Sequence, residues 1–490
     1  MRIAGVFLSI LFLIIVDQTR ASDLIGEDSP LRLSGSIDFS TGAVVEGKYR
    51  ATTGTPKEDN QYPHTVHRQW FGNPLARLNL DATPSPLLKI SLGFEGNIFL
   101  STFDPRYLTE KSANGGLPII PQFMDWRVHQ AQGIFSFIND DEVKVDMAVG
   151  LMPYKYNPEV RNLGEFLFRS GTYPLYLTNE FNFPMARLSG IRAGLKLGNE
   201  LLRFSFDQFV LTERQTPPLN DVSVASILGL NVGDIVDFGA GVDFARCIPA
   251  NPELTTPKLA FYIENGDTNY YSFQGIKLMG RVTIDPFGKI RGNDEGSFIN
   301  DFLGKNGGKI YSEVLVSGIK NYPANATPQT LNFNTAINQF GYDDIFERMP
   351  YMVGIAIPFW KILDVCAFEI EKFPAPYPND YYQAQYNAVL PIPTWVPEFR
   401  QPYVVTTALD TVPFDNPYDS TLYANNAKKY FYWSLYVSKQ ISPNFSVLGQ
   451  ISRDHMRWNC NLGNSADYDT EEILAKPNQW AWRLGILYTF

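Results

Sequence analysis

The last twelve residues constrain the fold most, because every second side chain is large and apolar. Trp480, Trp482, Leu484, Ile486, Tyr488 and Phe490 interleave with Gln479, Ala481, Arg483, Gly485, Leu487 and Thr489. A strand sends successive side chains to opposite faces, so this segment is a β-strand with one apolar, aromatic face and one small or polar face. The apolar face needs an apolar surrounding, either a packed core or lipid.

The same alternation recurs along the chain and predicts about sixteen strands. Leu31 to Thr41 opens the series. Hairpins follow with polar turns at Thr83-Pro84-Ser85-Pro86, Asn139-Asp140-Asp141-Glu142, Gly198-Asn199-Glu200, Asn231-Val232-Gly233-Asp234, Phe359-Trp360-Lys361 and Ser442-Pro443-Asn444. These carry the residues that tight turns prefer. Gln274 to Pro286 and Lys309 to Ile319 share a longer Gly-rich connection. Between the hairpins run long connectors: 47 to 74, 102 to 125, 152 to 184, 214 to 221, 248 to 273, 320 to 348, 374 to 429 and 459 to 478. Alternating short and long connectors are the pattern of a transmembrane antiparallel β-barrel, with short periplasmic turns and long extracellular loops. An even strand number places both termini in the periplasm. The count rises to eighteen if Lys258 to Glu264 and part of 374 to 429 also pair. A β-sandwich would not keep one end of every hairpin short.

Strand parity puts many charges on the inner face, among them Asp38, Arg77, Lys89, Glu95, Asp146, Arg192, Arg203, Asp237, Lys277, Arg281, Glu313 and Arg483. Burying so many ions in a dry core would cost more than a domain's whole stability. A barrel of about sixteen strands instead leaves an aqueous channel. The signs are mixed, so the wall alone predicts no strong ion preference.

The start of the chain fits an exported protein. Met1-Arg2 is a short basic start, Ile3 to Val16 an apolar run, and Thr19-Arg20-Ala21 a small-residue cleavage site before Ser22. The run is about fourteen residues, short of the roughly twenty a spanning helix needs, so residues 1–21 are expected to be a cleaved signal peptide and 22–490 one barrel. Aromatics at 14% suit two interfacial girdles. The net charge of −10 argues against nucleic acid as a partner. Cys247, Cys366 and Cys460 form no metal or redox motif; Cys366 reads as a small wall residue, and a Cys247 to Cys460 disulfide between outer loops is one arrangement open to the others. No histidine has a catalytic partner by spacing, and there is no GxSxG, so no enzyme is expected. His64 and His67 are too few for a metal site, and no cofactor is implied.

The terminal Phe490 on an amphipathic strand, with the connector pattern, resembles Gram-negative outer-membrane porin-type barrels over the whole mature chain. The resemblance implies assembly by the outer-membrane barrel machinery, with Phe490 and Tyr488 in the signal it reads. It also implies lipid as surroundings, passive diffusion of small hydrophilic solutes, and often a trimer. In sixteen-stranded porins the third outer loop narrows the pore, and the matching segment here is Pro153 to Pro184. It carries Lys155, Glu159, Arg161, Glu165 and Arg169 among aromatics. A constriction lined by Arg161, Glu165 and Arg169, with wall charges Lys89, Glu95, Arg192 and Arg203, would sort solutes by charge and size. The segment lacks the PEFGG-like motif of general porins, so individual residue roles of that subfamily do not carry over. The competing reading is a non-conducting barrel whose long loops, above all 374 to 429, serve adhesion or structure.

Overall fold

The computed structural model describes residues 31–46, 49–50, 64–65, 69–101, 123–168, 186–199, 201–212, 221–250, 261–264, 267–270, 274–289, 302–304, 306–319, 344–360, 362–374, 431–456, 474 and 478–490. Sixteen antiparallel strands close into one barrel. In chain order they are β1 (Leu31–Glu46), β2 (Gln69–Ser85), β3 (Leu88–Ser101), β4 (Phe123–Asn139), β5 (Val143–Tyr154), β6 (Ala186–Gly198), β7 (Leu202–Thr212) and β8 (Val222–Val232). There follow β9 (Val236–Ile248), β10 (Gly275–Ile284), β11 (Lys309–Val316), β12 (Tyr351–Ala356), β13 (Val365–Lys372), β14 (Tyr432–Ser442), β15 (Phe445–Arg453) and β16 (Trp480–Thr489). Each strand pairs with its sequence neighbours, and β16 returns to β1.

Closure is sealed where the chain ends. The amide of Gly35 donates to the Phe490 carbonyl at 2.9 Å, and the amide of Phe490 donates back to Gly35 at 3.0 Å. A side chain at Gly35 would begin 2.4 Å from the Phe490 ring, so only glycine lets that ring lie against β1.

The barrel is inverted relative to a soluble protein. Apolar side chains cover its outside: Leu33, Phe39, Leu78, Phe94, Phe238, Val353, Leu484 and Ile486 are all exposed. Charges are hidden inside, with Glu95, Asp243, Lys277, Glu313, Glu369 and Arg483 buried. Such an outer belt suits a lipid bilayer and would be a liability in water. The C-terminal strand follows its predicted parity: Leu484 and Ile486 face out, while Ala481 and Arg483 are buried on the inner side. No helix among the described residues is long and apolar enough to cross a membrane.

The strand number of sixteen matches the sequence reading, and the extension to eighteen fails at its describable half. Phe261–Glu264 pairs with Asp267–Tyr270 in a separate two-stranded sheet. Residues 375–430, the other half, lie outside the described residues, as do the expected leader 1–21 and Cys460. Cys247 is exposed, its thiol donating to the Val222 carbonyl at 3.3 Å. Two boundaries also move. β2 begins at Gln69 rather than Leu75 because β1 runs on to Glu46 and gives residues 69–74 a partner row. It also continues through the expected Pro84-containing turn, and the register shifts between Ala82 and Ser85, where Pro84 has no N–H to offer.

Candidate functional site

The segment after β5 determines what the barrel can do. Residues 155–168 reach well beyond β5 and β6, the strands the connector joins. Their backbone amides donate instead to carboxylates on β11 and β13. In the closed ring of sixteen, β13 is the eighth strand from β5 in either direction, diametrically opposite. A chain leaving one wall and bonding the opposite wall crosses the interior.

The crossing is held at its root by aromatic packing. Tyr154 and Phe168 both meet Phe209 of β7 edge to face, at 4.8 and 5.5 Å between centroids. Beyond the root, Val160, Leu163, Phe166 and Leu167 are buried against Ile227, Met279, Leu315 and Met352 of β8 to β12. Leu167 fits over Gly241, where an added Cβ would lie 2.9 Å from its methyl. The segment therefore lies on the β7 to β12 side of the interior. Lys277 of β10 donates to the Leu167 carbonyl at 3.1 Å, and Lys309 of β11 pairs with Glu159 at 2.7 Å.

The tip is fixed by polar groups. Glu369 accepts from the amides of Arg161, Asn162 and Leu163 at 2.5 to 2.8 Å and from the Tyr311 hydroxyl at 2.9 Å. Glu371 accepts from Gly164 at 3.0 Å and pairs with His455 at 2.7 Å. Glu313 accepts from the amides of Glu165 and Phe166 and from the side chains of Tyr156 and Asn157. Gly164 and Glu165 both take positive φ, at 84° and 58°, and this left-handed pair curls the tip so that its amides fan towards three different carboxylates. Burial, with Glu313 and Glu165 close by, pushes the Tyr156 hydroxyl well above its usual range, so it remains a proton donor. Burial and the neighbouring Arg161 lower Lys155 to about 8; its ammonium donates to the Val160 carbonyl at 2.6 Å.

The residues singled out from sequence fall in distinct places. Arg161 sits at the tip, partly exposed, beside the polar network. Glu165 is buried, its carboxylate accepting from the Asn157 amide, and so acts within the segment's own fold. Arg169 lies outside the described residues. Glu95 is fully buried and holds Arg77 at 3.0 Å and Arg187 at 2.9 Å, the latter reaching from β6, three strands away. Arg192 joins Asp146 and, at 3.3 Å, Asp207, under the root of the crossing segment. Lys89 pairs with Asp81 near the β2–β3 turn, and Arg203 pairs with Asp234 at the β8–β9 turn, both well exposed at the short-turn end. Phe490 and Tyr488 stack at the closing seam. The side chains of His64 and His67 lie outside the description.

Sequence reasoning passed over Glu369, Glu371 and Asp454, and gave His455 no acidic partner, whereas the fold pairs it with Glu371. A signal was present: Glu369 and Glu371 alternate with Phe368 and Ile370, two acids on the inner face of a short strand. Nothing local said that a segment some two hundred residues earlier would supply their donors.

No known family pattern and no curated protein matches the chain. Among solved structures it resembles a triple mutant of Rhodopseudomonas blastica porin, at 7% identity over 94% of this chain and 100% of that one, with a TM-score of 0.35. It also resembles a low-pH structure of OprB from Pseudomonas putida, at 7% identity over 97% of each chain, with a TM-score of 0.40. The likeness is one of architecture. At these scores it carries no weight for activity, which has to be read from the barrel itself.

Proposed function

We propose that the chain is an outer-membrane porin, a passive channel for small hydrophilic solutes narrowed by the segment 153–184. The observation that carries the reading is the crossing from β5 to β13: a segment that spans the interior and is bonded to the far wall leaves solutes only the space beside it. Sixteen strands leave room for water, and an inner face rich in ionised groups requires it. Because the segment packs on β7 to β12 and its tip bonds Glu369 on β13 and Asp454 just after β15, the passage runs along β16 and β1 to β4. That wall carries Arg77, Glu95 and Arg483, with Arg187 reaching Glu95 from β6. Arg192, beneath the segment's root, acts at more distance, as do Lys89 and Arg203 at the turn end.

In this reading the long connectors are extracellular, both termini are periplasmic, residues 1–21 are removed during export, and the barrel machinery recognises the strand ending in Tyr488 and Phe490. A homotrimer in lipid would be its working form. Reconstitution into a planar bilayer tests the proposal: stepwise ohmic conductance is expected. A barrel that inserts yet passes no ions would favour the adhesive or structural alternative.

A further inference from the structure

Six consecutive backbone amides, those of residues 161 to 166, all donate to carboxylates of the opposite wall: three to Glu369, one to Glu371 and two to Glu313. The remaining partners of Glu369 and Glu313 also donate to them, namely Tyr311 to the first and Tyr156 and Asn157 to the second. A backbone N–H can only donate. An ionised carboxylate offers about four lone-pair sites and satisfies such a set of donors, whereas a proton on either oxygen competes with the amides for those sites.

We propose that Glu369 and Glu313 are positioning residues that hold the tip across the bore in their ionised form, and that acidification releases the tip and changes the passage. For its effect on flux the proposal rests on the channel reading; for the movement of the tip it rests on the hydrogen bonds alone.

Glu369 is faced by Tyr311 from β11, by Arg161, Lys155 and Glu159 from the crossing segment, and by Glu371 on its own strand. Glu313 is faced by Tyr156 and Glu165 from the crossing segment and by Arg281, its cross-strand partner on β10. Glu371 is paired with His455, which stacks on Tyr432, itself covered by Arg453. The Gly164 amide bonds Glu371, so Glu369 and Glu313 answer for residues 161–163 and 165–166.

Amide hydrogen exchange on the folded, full-length barrel in detergent reads the tip directly. E369Q and E313Q each introduce a donor where amides already point. E369Q should speed exchange at residues 161–163, and E313Q at residues 165 and 166, roughly tenfold or more at neutral pH, the change expected from losing hydrogen bonds to a charged group. The unsubstituted protein, corrected for intrinsic exchange chemistry, should show the same acceleration on going from about pH 7 to about pH 4, across the carboxylate range. Should a variant fail to fold, this profile alone carries the test. Exchange that stays slow in both folded variants, or a flat profile in the unsubstituted protein, overturns the proposal. Conductance measured in parallel separates the two readings. A barrel whose tip loosens in acid but which never conducts retains the latch and loses the channel, whereas a conducting barrel with a flat exchange profile retains the channel and loses the latch.

Discussion

The side-chain amide of Asn162 donates to Asp454 at 2.7 Å across a separation of 292 residues. Asn162 lies in the segment that leaves β5, and Asp454 follows β15, six strands from β5 around one side of the ring. Glu313, which holds the next residues of the same tip, stands on β11, six strands around the other side. The tip thus touches the wall on both flanks of β13.

Arg161 is the charged side chain that the crossing carries to this point. Substituting Gln should leave folding intact, because its amide rather than its guanidinium bonds Glu369. It should shift the reversal potential towards cations, since a charge at a narrow point acts on ions at short range. A reversal potential unchanged in a salt gradient would remove Arg161 from the passage.

Glu95 sits between two arginines, and E95Q leaves both with a neutral partner. The barrel should lose about 1–3 kcal/mol, the cost of weakening buried hydrogen bonds to charged groups. Selectivity should move towards anions. Urea unfolding in micelles and bilayer recordings read the two effects separately.

Lys155 supplies a pH dependence outside the strands. Its folded value of about 8 lies below the ordinary lysine value of 10.5, so between them the unfolded chain holds the proton more tightly than the folded one. The linkage follows: this lysine's unfavourable contribution is present below about pH 8, and folded stability rises with pH through the window up to the unfolded value. The bore also loses a positive charge as pH passes about 8, so the reversal potential should drift towards cations there. K155Q should flatten that drift; an identical drift in the variant would place its origin elsewhere.

At the lipid face, Leu484→Arg should cost roughly 2–4 kcal/mol near the bilayer midplane. Gly485→Ser, on the inner side of the same strand, should be milder. Deleting Phe490 removes both hydrogen bonds to Gly35 and should slow assembly. Heat-modifiable migration on gels, followed through refolding, measures all three.

Gly164→Ala places a Cβ 2.8 Å from the Met352 side chain at a φ of 84°, where only glycine is comfortable. The tip should be displaced without loss of the barrel, seen as altered conductance with an unchanged thermal transition. A conductance equal to that of the unsubstituted protein would mean that the tip does not set the passage.

The architecture was legible in sequence because a strand's two faces alternate with period two, and each face meets one solvent. Leu484 and Ile486 against Arg483, or Phe94 against Glu95, declare lipid and water directly, and the connector lengths then order the strands into hairpins. Boundaries at Gln69 and Ser85 were not legible, since they depend on how far the neighbouring strand extends.

The site was only partly legible. Residues 153 to 184 were marked by charge and aromatic content, yet Arg161 and Glu165 were indistinguishable as sequence. In the fold Arg161 bonds Glu369 through its backbone amide and stays partly exposed, while Glu165 is turned inward to Asn157 by a left-handed backbone. What the sequence determined by itself was which side chains face lipid and which face the interior, because that follows from local alternation. Only the tertiary structure decided which wall the segment crosses to, because Glu313, Glu369 and Glu371 meet residues 161–166 solely through closure of the ring, which brings together positions about 150 to 200 residues apart.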